Sequence, residues 1–400
     1  MFKSQCSRRF RCGLALTAAA LCAAATVAPA IGSPVAAPGY NLSVFATAPT
    51  GASAPDDIAV AGNNVFIGYG NGVAGDGSSG PNGLTSTVVE YSSHGTVENT
   101  FAGIPGHVEG LAVGPDGLLY TDENEDGNSH LTVINPGSGA MTQYGYPNPS
   151  AHGGGFDGLQ FINGFLYASG SNPDNGGDVG GNNINSHPVL YRIGLDSNSY
   201  PSTVTTQGVV WGNDPAINKA TGSALNNPNI FDPDSLDVTP GGNLLLANES
   251  GATVTEIMNP NAITGVNGGT ASATLKTLNL YTMTGGVQTP ANTDETGFAT
   301  SAKGTLLFAD VKDNIVYQLT ATDGFALNQA FSADKTNHWL DTLNFNTGLL
   351  TPVVTGLGQP AGIGFLSDPP VNLPEPAGFA LLVPALAGLL LMRRRTSPSA

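Results

Sequence analysis

Cysteine is almost missing from this chain. Only Cys6, Cys12 and Cys22 occur among its 400 residues, and all three lie close to the amino terminus. The long remainder therefore forms no disulfide and performs no thiol chemistry. A domain built without disulfides is held together by its hydrophobic core or by bound metal.

Positive charge is equally scarce between the two ends of the chain. Residues 31–373 contain 6 basic and 29 acidic residues, a formal net charge of −23. Such a surface repels nucleic acid, which binds basic patches. It favours solubility and the binding of cations. We therefore expect no nucleic-acid partner.

Long stretches with helical periodicity are also lacking. Short runs of β-branched and aromatic residues alternate with clusters of Gly, Asn, Asp and Pro, and glycine alone accounts for 54 residues. This pattern predicts an all-β fold with many turns. The length of about 340 residues between the ends allows one large or two medium domains.

A nucleotide cofactor is not expected. The segment Gly70-Asn71-Gly72-Val73-Ala74-Gly75 matches the dinucleotide-binding spacing, but more Gly and Ser follow it instead of a helix. The fingerprint needs a helix whose amino terminus faces the phosphates. We interpret the segment as a loop.

The first 30 residues have the pattern of a secretory signal peptide. Lys3, Arg8, Arg9 and Arg11 form a basic start, residues 14–27 are rich in Ala and Leu, and residues 28–30 read Ala-Pro-Ala. A basic region, an apolar region and a small-residue cleavage site are the three parts of such a signal. This predicts export through the Sec machinery.

The last 30 residues, 371–400, contain three consecutive elements. A Pro374-Glu375-Pro376 motif precedes an apolar run at 377–392. A basic cluster closes the segment, consisting of Arg393, Arg394 and Arg395. The run is shorter than the roughly 20 residues of an ordinary membrane-spanning helix, and the arginines favour the cytoplasmic side. A short-lived anchor is predicted; a permanent single-span anchor is the alternative.

This tail resembles the PEP-CTERM sorting signal of Gram-negative bacteria. The resemblance implies recognition by an exosortase-type membrane transpeptidase and cleavage near the motif. It implies a protein that is anchored in the inner membrane only transiently, and only through this segment. The destination would be the cell surface or extracellular matrix, with exopolysaccharide or surface components as partners.

An internal repeat occupies the middle of the chain. Each copy has an acid, a small residue, an apolar anchor and two more strand residues, then a turn and a second apolar strand. The anchors Ile58, Leu111, Leu159, Leu236, Phe298 and Ile363 are separated by 53, 48, 77, 62 and 65 residues. The copies are 56–60 with 65–67, 109–113 with 118–120, 157–161 with 165–167, 234–238 with 244–246, 296–300 with 306–308, and 361–365 without a second strand.

Further apolar runs follow most copies, so each repeat supplies about four antiparallel strands. That is the composition of a propeller blade. We predict an all-β β-propeller of about six blades over residues 31–370, between the signal peptide and the hydrophobic sorting helix. Five blades would be complete, and the sixth would combine an outer strand from 40–46 with an inner strand from 361–365. A pair of stacked β-sandwiches is the competing architecture.

Over residues 40–368 the repeats resemble those of NHL and SMP-30/gluconolactonase-like propellers, in which an acid-Gly-Leu strand precedes a Gly-x-Leu-Tyr strand. The resemblance implies a metal ion at the channel mouth, held by a few acids and an amide. Glu109 and Asp234 occupy positions where the motif places ligands. No asparagine ligand is assigned.

The first strand of each propeller blade lines the central channel, so the repeat acids should converge at one mouth. They are Asp56, Glu109, Asp157 and Asp234, with Glu295 one position out of step. Converging carboxylates repel one another unless they are protonated or share a cation. We therefore predict a Ca²⁺ or other divalent site at Glu109, Asp157 and Asp234. The alternative is that these acids cap strands by accepting bonds from turn amides.

A second candidate metal site is the segment 122–128. Asp122, Asn124 and Asp126 place oxygen atoms at alternate positions before Gly127, as in the first half of a calcium loop. The twelfth position is Val133, so the bidentate Glu of an EF-hand is missing. A solvated acidic loop is the alternative.

Taken together, these features favour an exported binding or scaffold protein over an enzyme. One alternative is a metal-dependent hydrolase whose ion, held by Glu109, Asp157 and Asp234, polarises a carbonyl and activates water. Another is a propeller that calcium stiffens without chemistry. The fold alone does not decide between these functions.

Overall fold

The computed structural model describes residues 33–79, 83–148, 150–173, 184–196, 202–262 and 274–368. The predicted signal peptide and the predicted sorting tail, with Pro374, Glu375, Pro376 and the three arginines, lie outside the described residues. Within the described ranges, no helix is long and apolar enough to cross a membrane.

The described chain is built from short strands. Those of the first half are β1 (Val35–Ala36), β2 (Tyr40–Thr47), β3 (Pro55–Ala61), β4 (Asn64–Tyr69), β5 (Ser86–Ser92), β6 (Val97–Ile104), β7 (Val108–Val113), β8 (Leu119–Glu123), β9 (His130–Ile134), β10 (Met141–Gly145), β11 (Leu159–Ile162), β12 (Phe165–Ser169), β13 (Pro188–Asp196) and β14 (Thr203–Trp211). Those of the second half are β15 (Ala216–Asn218), β16 (Ala224–Leu225), β17 (Pro233–Val238), β18 (Leu244–Asn248), β19 (Thr253–Met258), β20 (Thr274–Asn279), β21 (Tyr281–Thr284), β22 (Val287–Pro290), β23 (Thr293–Ala299), β24 (Gly304–Asp310), β25 (Ile315–Ala321), β26 (Gln329–Asp334), β27 (Trp339–Leu343), β28 (Leu350–Thr355) and β29 (Pro360–Ser367). One 3₁₀ turn occurs at Pro260–Ala262.

Turn chemistry fixes the hairpins between these strands. The β11–β12 hairpin pairs Ile162 with Phe165 across the two residues Asn163 and Gly164, whose φ angles are 51° and 80°. Two consecutive positive φ angles define the type I′ turn, which matches the twist of antiparallel strands and favours Asn-Gly. The spacing of the repeat therefore follows from local chemistry.

Within the described residues the strands form six four-stranded antiparallel blades. In addition, β1 extends blade 5, β15 and β16 extend blade 4, and β21 and β22 form a separate hairpin. From the innermost strand outward, blades 1 to 4 are β3-β4-β5-β6, β7-β8-β9-β10, β11-β12-β13-β14 and β17-β18-β19-β20. Blades 5 and 6 are β23-β26-β27-β28 and β29-β24-β25-β2. The inner strands contact one another in a closed cycle, β3 with β7, β7 with β11, β11 with β17, β17 with β23, β23 with β29, and β29 with β3. The predicted β-propeller of six blades is confirmed.

The hydrophobic core is divided among the six interfaces between neighbouring blades. One buried cluster joins Phe66 of blade 1 to Leu119 of blade 2, and another joins Leu307 of blade 6 to Ile67 of blade 1. The other four clusters lie between blades 2 and 3, 3 and 4, 4 and 5, and 5 and 6. Because neighbouring blades cover both faces of the sheets near the channel, the second strands β4, β8 and β18 are buried along almost their whole length.

The sixth blade closes the ring as predicted. Its outer strand β2 comes from the amino-terminal part and its inner strand β29 from the carboxyl-terminal part, in one sheet with β24 and β25. The amino-terminal strand thus completes a sheet whose other three strands lie more than 250 residues later. Closure of this kind leaves no long open sheet edge at the seam.

The prediction for the fifth repeat was wrong in one respect. The segment 306–308 was expected beside 296–300, but it lies in β24, which pairs with β29 in blade 6. Blade 5 instead pairs β23 with β26, so the chain crosses into blade 6 and returns. An apolar strand fits either neighbouring edge, and the copy at 361–365 lacked a second strand. β24 thus pairs at the edge that this copy left vacant.

Candidate metal centre at the channel mouth

An irregularity in the inner strands aims the repeat acids at the channel. Pairing between the first two strands skips residues 56–57 in blade 1, 109–110 in blade 2, 234–235 in blade 4 and 294–295 in blade 5. Such bulges turn a side chain out of the ladder and are common beside functional sites. The first skipped residue is an acid each time and lines the channel mouth.

In blades 1, 4 and 5 the side chain of the second skipped residue bonds to the backbone of the next blade. Asp57 accepts a hydrogen bond from the backbone N–H of Leu111 at 2.5 Å, and Glu295 accepts one from Ile363 at 2.5 Å. Ser235 donates its hydroxyl to the carbonyl of Asp294 at 2.8 Å. Bonding of acids to backbone amides, the alternative raised for the repeat, is found at Asp57 and Glu295. Asp56, Glu109, Asp157 and Asp234 line the cavity.

The cavity at the mouth has a volume of about 240 Å³ and is strongly acidic. The acids that line it are Asp56, Asp57, Glu109, Glu125, Asp157, Asp234, Glu249, Asp294 and Glu295. The basic side chains that line it are His107 and Lys335. All three residues predicted to bind a metal here, Glu109, Asp157 and Asp234, are among them.

Sequence reasoning missed Asp294, Glu125, Glu249 and Lys335, all of which line this cavity. Asp294 was missed because the sequence pattern took Phe298 as the anchor of its repeat. In the structure, pairing resumes at Thr296. Thr296 is therefore the true anchor, and Asp294 lies two positions before it. Glu125, Glu249 and Lys335 follow the second strands of blades 2, 4 and 5 by one or two residues. The residue just beyond each second strand was therefore the available signal.

Among the residues that the structure describes, three groups of ligand atoms lie close enough to share an ion. Within each group, one atom from every residue lies within 4.8 Å of the others. The groups are Asp56 with His107 and Glu109, Glu125 with Asp157 and Asp234, and Asp234 with Glu249 and Asp294. Asp234 belongs to two of them.

The first group is already hydrogen-bonded internally. His107 Nδ1 contacts Glu109 Oε1. The imidazole lies over Gly70, where a Cβ atom would be only 2.1 Å from Nε2. The missing side chain at Gly70 is what makes room for the ring.

The group of Glu125, Asp157 and Asp234 is different, because it holds carboxylates without a cation. None of the ion pairs within the described ranges involves these three residues. Oδ2 of Asp234 is buried and meets no hydrogen-bond donor among the described residues. Asp157 and Asp234 lie within hydrogen-bonding range of each other. Two carboxylates approach this closely only with a proton or a cation between them.

Burial and mutual repulsion alter the proton affinity of these acids. Burial, followed by the nearby charge of Asp157, raises the pKa of Asp234 well above its usual range. Burial also raises the pKa of Asp56 and of Glu109, and neighbouring carboxylates add to both shifts. For Lys335 burial alone lowers the pKa, but Asp294, Asp234 and Glu249 together raise it. The mouth therefore favours any positive charge, whether proton, ammonium or metal ion.

The other predicted metal site has separate local partners in the structure. Asp122 is fully buried in β8 and accepts the Tyr146 hydroxyl at 2.6 Å. Asn124 Oδ1 accepts the backbone N–H of His107 at 2.8 Å, and Asp126 accepts Asn172 Nδ2 at 2.6 Å. The alternation that suggested a calcium loop corresponds here to three separate hydrogen-bonding roles. Calcium at this loop stays a prediction.

His152, the other histidine that precedes a repeat acid, belongs to the core. It is fully buried, with Nδ1 at 2.9 Å from the Tyr191 hydroxyl and Nε2 at 2.6 Å from the Gly155 carbonyl oxygen. Burial lowers its pKa to about 4. It packs between blades and holds a loop in place.

No protein-family model matches this chain, and neither does any curated protein. Among solved structures, it is similar to a streptogramin B lyase at 13% identity, over 78% of this chain and 87% of that one, with a TM-score of 0.41. The virginiamycin B lyase of Staphylococcus aureus is 13% identical over 84% and 90%, with a TM-score of 0.42. A protein assigned as a gluconolactonase is 14% identical over 80% and 83%, with a TM-score of 0.41. Similarity this low transfers no function, so the description of the fold rests on the strand pairing itself.

Proposed function

We propose that this protein is an exported, divalent-cation-binding β-propeller that acts as a binding or scaffold protein. The ion lies at the channel mouth on Glu125, Asp157 and Asp234. The observation that carries this proposal is the buried Oδ2 of Asp234, which has no donor among the described residues. An oxygen of the same carboxylate lies within 4.8 Å of one oxygen of Glu125 and one of Asp157. A cation satisfies all three at once.

The donor set selects the kind of ion. Carboxylate oxygens are hard ligands that suit Ca²⁺ and Mg²⁺ better than the softer transition metals. Ca²⁺ binds oxygen at 2.3–2.6 Å, so its ligands are spaced by up to about 5 Å. The spacing of the three atoms meets that limit. Ca²⁺ also takes six to eight ligands, so positions remain that an oxygen-rich ligand such as a saccharide can fill from the cavity.

Export and sorting complete the proposal. The amino-terminal signal pattern and the Pro374-Glu375-Pro376 tail support delivery to the cell surface or matrix by the Sec machinery and an exosortase-type transpeptidase. Replacement of Pro374, Glu375 and Pro376 by alanine in the native host is expected to leave the protein in the inner membrane. Release of this variant at the normal rate would contradict the sorting proposal without affecting the ion site.

A metal-dependent hydrolase is the second candidate, because an imidazole faces the same cavity. His107 is held by Glu109 and lies at the edge of the acidic cluster. A bound divalent ion supplies Lewis acidity toward a carbonyl oxygen. In that setting His107 is the residue placed to accept a proton, with Glu109 orienting the ring.

Metal binding by the purified protein tests the ion site. We expect about one equivalent of Ca²⁺ by calorimetry, and Asp234→Asn to weaken binding by at least about tenfold, the effect of losing 1.4 kcal/mol. Asp56→Asn is the matched control, because it removes the same charge from the same cavity but lies outside the ion-binding group. Equal losses in both variants would place the ion elsewhere in the mouth. Absence of binding in the parent protein would overturn the proposal.

Activity assays separate the two candidate functions. A panel of lactones and simple esters is to be assayed with Ca²⁺ and with a chelator. Hydrolysis that needs the ion and is lost in His107→Gln would establish the enzyme. A protein that binds the ion but turns over none of the panel supports the binding role.

A further inference from the structure

Two of the three-residue ligand groups share Asp234, and they differ in whether Lys335 pairs with them. Its Nζ lies 2.9 Å from Oδ1 of Asp294 and 3.0 Å from Oε2 of Glu249. Asp294, Glu249 and Asp234 form a group whose ligand atoms are close enough to share an ion. The group of Asp234, Glu249 and Asp294 therefore carries an ammonium. The group of Glu125, Asp157 and Asp234 takes part in none of the ion pairs within the described ranges.

Lys335 is anchored firmly at this position. It follows β26 directly, and its backbone N–H donates to the carbonyl of Asn292 at 3.0 Å. The adjacent Thr336 accepts the backbone N–H of Asn292 at 2.8 Å through its hydroxyl. The side chain is only 28% exposed and connects Glu249 of blade 4 with Asp294 of blade 5. Both ends of the lysine are thus fixed by the fold.

The placement is notable in so acidic a protein. Lys335 is one of only six basic residues in residues 31–373, against 29 acids. A cation at this point offsets charge at the most acidic part of the molecule, where a second metal ion would otherwise have ligands. Paired metal sites place two ions about 3.5–4 Å apart, a geometry that a shared carboxylate such as Asp234 allows.

We propose that Lys335 is a built-in cation that occupies the second of two ion positions joined by Asp234, so that the channel mouth takes one divalent ion instead of two. This inference rests on the proposed ion site at Glu125, Asp157 and Asp234. The lysine supplies a fixed single charge. The divalent ion on the Asp157 side is then the exchangeable cation of the pair. Removal of the ammonium creates a vacant all-oxygen site of Asp234, Glu249 and Asp294.

Stoichiometry of Ca²⁺ binding tests the proposal directly. The parent protein is expected to bind one equivalent by calorimetry and by metal analysis after gel filtration, and Lys335→Gln two. Lys303→Gln is the matched control, because it removes the same charge from an exposed position and is expected to bind one. Glu249→Gln added to Lys335→Gln is expected to return the count to one.

A second variant keeps the proposal testable if Lys335→Gln does not fold. Glu249→Gln alone is expected to leave Ca²⁺ affinity within about threefold of the parent value, because in the presence of Lys335 this carboxylate serves the ammonium. A loss of tenfold or more would show that the ion displaces Lys335 and would overturn the inference.

The outcomes also separate this inference from the proposed function. No Ca²⁺ bound by the parent protein means that the ion site itself is wrong. One equivalent in both the parent protein and a folded Lys335→Gln means that the ion site stands and the role of Lys335 is wrong. Two equivalents in the parent protein mean that Lys335 does not exclude a second ion.

Discussion

Oδ2 of Asp57, in the inner strand of blade 1, accepts a hydrogen bond from the backbone N–H of Leu111, in the inner strand of blade 2, at 2.5 Å. Glu295 makes the same bond to Ile363 between blades 5 and 6. Both acids occupy the second residue of a strand bulge, one position after a channel-facing acid. Adjacent acids in one strand therefore have different roles, since one joins blades and the other builds the site.

Removal of the Asp57 carboxylate is expected to loosen the seam between blades 1 and 2. Asp57→Ala leaves the Leu111 N–H without its acceptor, and a buried donor left unpaired costs about 1–3 kcal/mol of unfolding free energy. Asp57→Asn keeps an acceptor oxygen at the same place and is expected to cost less. Chemical denaturation at pH 6 measures both. Equal stability of the alanine variant and the parent protein would contradict the assigned role.

Gly110→Ala is expected to disturb both the fold and the ion site. A Cβ atom at Gly110 would lie 2.2 Å from the carbonyl oxygen of Asp157, so either β7 or the segment that carries this proposed ligand must move. Overpacking of this kind costs about 1–3 kcal/mol, and Ca²⁺ affinity is expected to fall with it. Gly145→Ala is the matched control, because no atom lies within 4 Å of its Cβ position. Thermal melting and calorimetry of the two variants test this, and identical behaviour would exclude the close approach.

Ion binding is expected to strengthen as the pH rises. Burial raises the pKa of Asp157 and Asp234 in the ion-free protein, so protons compete with the ion in mildly acidic solution. Binding must release protons, and each proton displaced makes affinity rise by up to about tenfold per pH unit. Calorimetry between pH 5 and 8, in buffers of different ionisation enthalpy, counts the protons released. Affinity that is independent of pH would show that these carboxyls are not the ligands.

Asp341 is expected to make the fold less stable in alkaline solution. It is fully buried in blade 5, and neither of its oxygens meets a donor among the described residues. Burial together with the nearby Asp334 raises its pKa to about 9. At any pH between the ordinary pKa of an aspartate, near 4, and this raised pKa, the folded state binds more protons than the unfolded state. The contribution of this group to the free energy of unfolding is therefore fully present below about pH 4. As the pH rises to about 9, this contribution falls by at most about 1.4 kcal/mol per pH unit.

Asp341→Asn tests this pH dependence. The amide stays neutral and can donate to Asp334 as the protonated acid does, so the variant is expected to lose less stability than the parent protein between pH 5 and 9. Asp323→Asn, at an exposed position, controls for the loss of one surface charge. Parallel stability curves for the parent protein and Asp341→Asn would show that Asp341 does not titrate in this range.

Much of the fold was predictable because the signal is local. The apolar anchors, the acid two positions earlier and the turn residues specify strands and hairpins wherever they occur, and the Asn163-Gly164 turn is formed by its own two residues. Closure of blade 6 by strands from both ends was also predictable, since the copy at 361–365 had too few strands.

The exchange between blades 5 and 6 was not predictable in the same way. β24 and β26 are both short apolar strands, and either could pair with β23. Which edge each one joined depended on pairing with β29, which lies later in the chain, and on packing against blade 1. The register of the fifth repeat, and with it Asp294, was hidden for the same reason, because only pairing shows that Thr296 follows the bulge.

The sequence by itself determined the all-β composition, the repeat, the lack of cysteine after residue 22 and the convergence of Asp56, Glu109, Asp157 and Asp234 on one axis, because each of these follows from spacing or residue type. Only the tertiary structure decided which acids face the cavity, which join blades, and that Glu125, Glu249 and Lys335 enter the site. Those residues come from loops of different blades. Their proximity exists only after the ring has closed, when burial in one small cavity makes their charges act on each other.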